Sequence, residues 1–155
     1  MNLFLIRHGE SENSAPSDFE RALTPRGIAI LQESILQVAQ TANAPDLLFS
    51  SPLKRAVQTA ELFQRVWHVD LQTVDWLQPQ ASVSQILEEL GQLQISSIAL
   101  VGHLPSIGQA LSALVLGLPP KDIALNPGTV VCLDAESLKP GASKINWILD
   151  PDIPE

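Results

Sequence analysis

The sequence has a single cysteine, so it can form neither an internal disulfide nor a cysteine-built metal cage. Basic residues are also few. The 9 lysines and arginines stand against 17 acidic residues, a net charge of −8 at pH 7. An acidic chain gains little from counterion release on phosphate backbones or anionic lipid, which argues against nucleic-acid and membrane partners. Long hydrophobic runs are missing. Leu3 to Ile6 is too short for a signal-peptide core, and Ile107 to Leu118 is interrupted by Gln109, Ser112 and Gly117. The expected location is the cytoplasm. There is no internal repeat, and the 12 prolines do not gather into a linker. Walker loops, dinucleotide glycine motifs and H-x-H metal pairs are absent, so the expectation is a reaction without cofactor or metal.

What is present is the composition of a folded domain. At 45% hydrophobic and 17% charged, the chain is too apolar for disorder. Its 155 residues suit one domain, residues 1–155, with a core that needs no staples.

Short apolar runs alternate with stretches of helical period. Strands are expected at 2–6, 47–50, 71–74 and 97–101. Thr24-Pro25 reads as an N-cap followed by proline in the first helical turn, with Ile28, Leu31, Ile35 and Val38 behind it. Further helices are expected from Pro52, over 83–93, and from Pro105 to Leu116. Val130 to Leu133 and Ile145 to Leu149 read as a late antiparallel hairpin. The alternation predicts an α/β fold: three layers, with a largely parallel central sheet and helices on both faces. Ligands bind such sheets at the carboxyl ends of the strands.

Those ends carry the reactive residues. Arg7-His8-Gly9-Glu10 follows the first strand, Ser51-Pro52-Leu53-Lys54-Arg55 the second, and Gly102-His103-Leu104-Pro105 the strand at 97–101. Arginine forks suit phosphate oxygens, and a neutral imidazole attacks phosphorus. Guanidinium charges near His8 are expected to keep it neutral. A second imidazole can donate to the transferring group, Gly9 lets a phosphate approach the backbone, and the helix opened by Pro105 adds amide donors. Neither histidine is persuasive singly; their joint placement with Arg7 and Arg55 is. His68, beside Trp67, reads as peripheral.

Four motifs then resemble the histidine phosphatase, or phosphoglycerate-mutase-like, superfamily. They are L-I-R-H-G-E at 5–10, L-T-P-R-G at 23–27, S-P-L-K-R-A-V-Q-T-A at 51–60 and V-G-H-L-P at 101–105. The short chain, H-L-P and D-F-E-R-A-L-T at 18–24 are similar to the small bacterial phosphohistidine phosphatases of the SixA type, although Ala22 stands where they have proline. The resemblance implies that His8 takes the phosphoryl group, Arg7 and Arg55 clamp it, His103 completes the pocket and Arg21 adds a contact. Asp18 is the first choice for proton donor, with Glu10, Glu12 and Glu20 as rivals that also read as solvated loop charge. The last third of the chain offers no usable motif.

Chain length adds an argument of its own. Elements between Arg55 and His103 leave only residues 68–82 as connection, too few for a helical lid. An open site suits a phosphorylated side chain on a protein. The expected function is therefore a metal-independent phosphatase acting on phosphohistidine in a signalling or phosphotransfer protein. The alternatives are a phosphatase or mutase for a small phosphorylated metabolite, or a phosphate-binding module without turnover. Cys132 lies in an apolar strand with Leu138 where a thiol phosphatase needs arginine, and reads as core. Trp76 is expected to be buried, Asn126-Pro127-Gly128 to turn beside the site, and Asp150-Pro151-Asp152 to be a solvated tail.

Overall fold

The computed structural model describes residues 1–151. Among these residues six strands and four helices follow in order: β1 (Asn2–Arg7), α1 (Pro25–Thr41), β2 (Leu47–Ser50), α2 (Lys54–Trp67), β3 (Leu71–Thr73), α3 (Val83–Gly91), β4 (Ser97–Gly102), α4 (Ser106–Leu116), β5 (Val130–Ala135) and β6 (Ser143–Leu149). Single 3₁₀ turns lie at Asp18–Glu20 and Asp75–Leu77. The sheet order is β3-β2-β4-β1-β5-β6. The first four of these strands are parallel, and β5 and β6 continue the sheet antiparallel.

Period-2 alternation of the strands sorts the core into two layers. Phe4 and Ile6 of β1, Ala99 and Val101 of β4, and Val130 and Cys132 of β5 face α1 and α2, meeting Leu31, Ile35, Ala60 and Phe63. Leu3, Leu5, Ile98, Leu100, Val131 and Leu133 face the other way, against Ile86, Leu90, Ala110 and Leu114 of α3 and α4. The three-layer expectation is met. Cys132 and Trp76 are buried, the latter with its ring 5.4 Å from Phe49.

The helix starts differ from the prolines that announce them. α2 begins two residues after Pro52, with Leu53 before its first turn, and α4 begins directly after Pro105. The Thr24 signal holds: its Oγ1 accepts from the Gly27 amide at 2.8 Å and donates to Glu10 at 2.9 Å. That pair fastens the start of α1 to the loop after β1. The connection 68–82 contains β3, one 3₁₀ turn and no helical lid, and its Trp76 and Leu77 are packed into the core.

Asp150 departs from the expectation of a solvated tail. Its carboxylate accepts from the Asn126 side chain at 2.8 Å, which ties the end of β6 to the 126–128 loop. Asp152 lies outside the described residues.

Candidate active site

Hydrogen bonds between strand ends build the site. The His8 amide donates to the Gly102 carbonyl, the Ser51 amide to Val101, and the Gly128 amide to the carbonyls of Arg7 and His8. The loops after β1, β2 and β4 are thereby fixed together with the loop before β5. The segment after β1 leaves the sheet and returns: Glu12 donates to Ala22, and Thr24 to Glu10. Its outer end is the Asp18–Glu20 turn, which carries Asp18 and Arg21 back over the strand ends.

A cavity of about 380 Å³ collects Arg7, His8, Gly9, Asp18, Arg21, Arg55 and His103, with Pro79 and Pro127 on its walls. All seven residues singled out from the sequence are therefore brought together. The His8 and His103 rings are 5.0 Å apart. His68 is exposed at the end of α2, far from this set in the fold.

His8 is nearly buried, and its Nδ1 lies 2.7 Å from the Gly9 carbonyl oxygen. A carbonyl only accepts, so Nδ1 bears the proton and Nε2 keeps its lone pair. Burial pushes the His8 pKa from 6.5 down to about 4; the Gly9 bond opposes this, and Arg55, Arg7 and Arg21 add to it. The neutral state expected from the guanidiniums is found, but desolvation is its main cause. His103 is lowered to about 3 by burial first, then by His8, Arg55, Arg7 and Arg21. Burial and Arg55 lower Arg7 as well.

The arginines are held by oxygens from other segments. Arg7 Nη1 donates to the Leu125 carbonyl at 2.6 Å. Arg55 is buried on α2; it donates from Nη1 to the Asp18 carbonyl at 2.8 Å and from Nη2 to the Asp18 carboxylate at 3.2 Å. The other Asp18 oxygen is 3.1 Å from Arg21 Nε. Asp18 thus bridges two guanidiniums. Glu10 is not free loop charge: it binds Thr24 and, at 2.6 Å, Arg26. Glu20 accepts from Ser17, and Glu12 is exposed.

Gly9 also meets a packing need. A Cβ there would sit 2.6 Å from Leu31 Cδ1, so the missing side chain makes room for the core. Its amide is already donated to Thr59 Oγ1, at 3.1 Å. Similarly, the Ile107 and Gln109 amides of the α4 start are bonded to the carbonyls of His103 and Pro105 rather than aimed at the cavity.

Four buried nitrogens of the site, Arg7 Nε, Arg21 Nε, Arg55 Nε and His103 Nδ1, have no hydrogen-bond partner among the described residues, although Arg21 Nε keeps its ion pair with Asp18. Such groups are costly unless an acceptor arrives. Among the described residues no cluster of three or more His, Cys, Asp or Glu is placed to hold a metal. Leu125, Ser51 and Thr59 are parts of the site that motif reading did not assign. Backbone carbonyls leave no side-chain signature, whereas Ser51 and Thr59 were in plain view inside the S-P-L-K-R-A-V-Q-T-A stretch.

An α/β domain that gathers two neutral imidazoles and three arginines at its strand ends belongs to the phosphate-handling enzymes. The family model of the histidine phosphatase superfamily (branch 1) matches residues 3–82. The phosphohistidine phosphatase SixA homolog of Haemophilus influenzae is 31% identical over 145 residues, covering 86% of this chain and 87% of that protein. The phosphohistidine phosphatase SixA of Escherichia coli is 28% identical, covering 97% of this chain and 94% of its own. A solved structure of the protein histidine phosphatase SixA complexed with tungstate shares the fold, with a TM-score of 0.83 at 24% identity and 97% of both chains covered. The chain belongs to the histidine phosphatase superfamily. Its likeness to the SixA type, first seen in the short chain, H-L-P and D-F-E-R-A-L-T, extends over nearly its whole length.

Proposed function

We propose that this phosphatase removes the phosphoryl group from phosphohistidine on a protein, through a covalent intermediate on His8 and without a metal. The observation that carries the proposal is the pairing of a bare His8 Nε2, fixed by the Nδ1 bond to Gly9, with buried, unpartnered nitrogens of Arg7, Arg21, Arg55 and His103 around it. A nucleophile and the donors for a trigonal-bipyramidal phosphoryl group then share one cavity.

His8 Nε2 forms a bond to phosphorus as the substrate's P–N bond breaks. The bonding pair stays on the departing imidazole nitrogen, which takes up a proton. Water next attacks the phosphohistidine, loses a proton, and releases inorganic phosphate as His8 recovers its lone pair. Arg7, Arg21 and Arg55 bind the phosphoryl oxygens, and His103 donates to them. Asp18 is our choice for the acid. In the resting site its carboxylate accepts from Arg55 and pairs with Arg21, guanidiniums that a phosphoryl oxygen also needs, so substrate binding must release it before it can transfer a proton. Imidazole leaves more readily than an alkoxide, which suits so mobile an acid.

The substrate class rests on openness and on the relatives. Connection 68–82 adds no helix over the cavity. Phe19, half-exposed on the same turn as Asp18, offers an apolar contact to a protein surface. Both relatives described above carry the name phosphohistidine phosphatase.

The test is phosphate release from a phosphohistidine-bearing protein in the presence of chelator, beside an aryl phosphate and several sugar phosphates, with His8→Ala as control. The expected result is release from phosphohistidine in preference to the others, abolished in the variant. A preference for a sugar phosphate overturns the substrate assignment, and loss of activity to the chelator overturns the metal-free mechanism.

A further inference from the structure

Ser51 opens the loop after β2 with its side chain fully buried, against a His103 that is itself 1% exposed. Its Oγ accepts from the Leu53 amide at 3.2 Å and lies 2.7 Å from His103 Nε2. His103 Nδ1 has no partner among the described residues. These contacts allow two arrangements of protons.

In the first, Nε2 bears the proton and donates to Ser51. Ser51 Oγ then accepts twice, its own O–H has no acceptor, and the Nδ1 lone pair has no donor. In the second, Ser51 donates to a bare Nε2 while accepting from Leu53. The hydroxyl is fully used, and only the Nδ1–H lacks a partner. Every buried polar group left unpaired is costly, so the second arrangement, with one such group instead of two, is favoured. It is also the useful one. His103 lines the cavity that holds His8 and the arginines. A lone pair there would repel phosphoryl oxygens, whereas an N–H group attracts them.

We infer that Ser51 is a positioning residue that holds His103 in the Nδ1–H tautomer, so that the ring offers a neutral donor to the phosphoryl group. The inference rests on the proposed role of His103 beside a phosphoryl group bound at His8. Ser51 touches no reacting atom; it acts through the ring. Released from Ser51, an imidazole side chain reverts to its usual preference for the proton on Nε2.

The experiment is a long-range proton–nitrogen NMR spectrum of the histidine rings in ¹⁵N-labelled protein near neutral pH, for the wild type and Ser51→Ala. It is paired with steady-state kinetics on an aryl phosphate. The wild type is expected to carry the His103 proton on Nδ1. In Ser51→Ala the proton moves largely to Nε2, and kcat falls by about ten-fold or more while KM changes less than about two-fold. A wild-type proton on Nε2 overturns the inference. So does a variant that keeps the wild-type tautomer, or one that changes tautomer without loss of kcat. If Ser51→Ala does not fold, the wild-type spectrum decides alone. The tautomer is read without substrate and the kinetics use an aryl phosphate, so failure of the phosphohistidine assignment is seen separately.

Discussion

Asp18 shows how one residue can serve two demands. Its backbone carbonyl and its carboxylate both bind Arg55, and the carboxylate also reaches Arg21. Asp18→Asn keeps the shape and removes the charge. If the carboxylate competes with phosphate for these arginines, inorganic phosphate should inhibit the variant more strongly, by roughly three- to ten-fold in Ki, in line with a charge-assisted bond of about 1 kcal/mol. If it is also the acid, kcat should fall further for an alkyl phosphate than for phosphohistidine. Inhibition constants and kcat on the two substrates check both parts. At this scale the sequence was informative wherever a side chain lines the cavity, as with His8, Arg55 and His103. It was incomplete about reasons. Gly9 also leaves room for Leu31, and Glu10 is a tie to Thr24 and Arg26 and not loose charge. Such pairings join residues far apart in the chain, and no local pattern records them.

Among the elements, the start of α1 was the most legible and the loop before it the least. Thr24-Pro25 is a local signal, and the cap forms as expected. The Asp18–Glu20 turn has no such signal, since it exists because both ends of the 10–24 segment are pinned, by the Glu12–Ala22 and Thr24–Glu10 bonds. Gly27 supports that pinning. A Cβ there would stand 2.4 Å from the Glu10 carbonyl oxygen, a backbone atom that cannot step aside cheaply. Gly27→Ala is expected to destabilise the fold by about 1–3 kcal/mol through this overlap, despite alanine's better helix propensity. Urea unfolding measures the change; a variant as stable as the parent would show that the start of α1 is not seated on the loop as described. Thr59 makes a parallel link on the other side, accepting from the Gly9 amide and donating to the Arg55 carbonyl, so that the loop after β1 is tied to α2.

For the whole molecule, the three-layer class followed from alternation, but the order of strands did not. β1 and β4 are apolar on both faces, which marks them as central without saying which strands flank them. Burial of the site has a consequence at this scale. His8 and His103 have folded pKa values of about 4 and about 3, below the ordinary 6.5. The unfolded chain therefore binds protons that the folded one refuses. Stability is complete above about pH 6.5 and declines as pH falls toward 4, by close to 1 kcal/mol per pH unit for each histidine. Urea unfolding at pH 6 and pH 5 should show a shallower loss in His8→Asn than in the wild type, by about that amount; equal slopes would contradict a neutral, buried His8. The same depressed pKa leaves His8, the proposed nucleophile, unprotonated throughout the neutral range.

The central claim is the covalent step at His8, and trapping the phosphoenzyme tests it most directly. Brief reaction with a phosphohistidine protein or an aryl phosphate, denaturation in alkali and mass spectrometry of the digest should find one phosphoryl group, labile to acid, on the peptide containing His8. His8→Ala should carry none. Steady turnover with no phosphoenzyme at the shortest times, or a phosphoryl group on any other residue, would contradict the account.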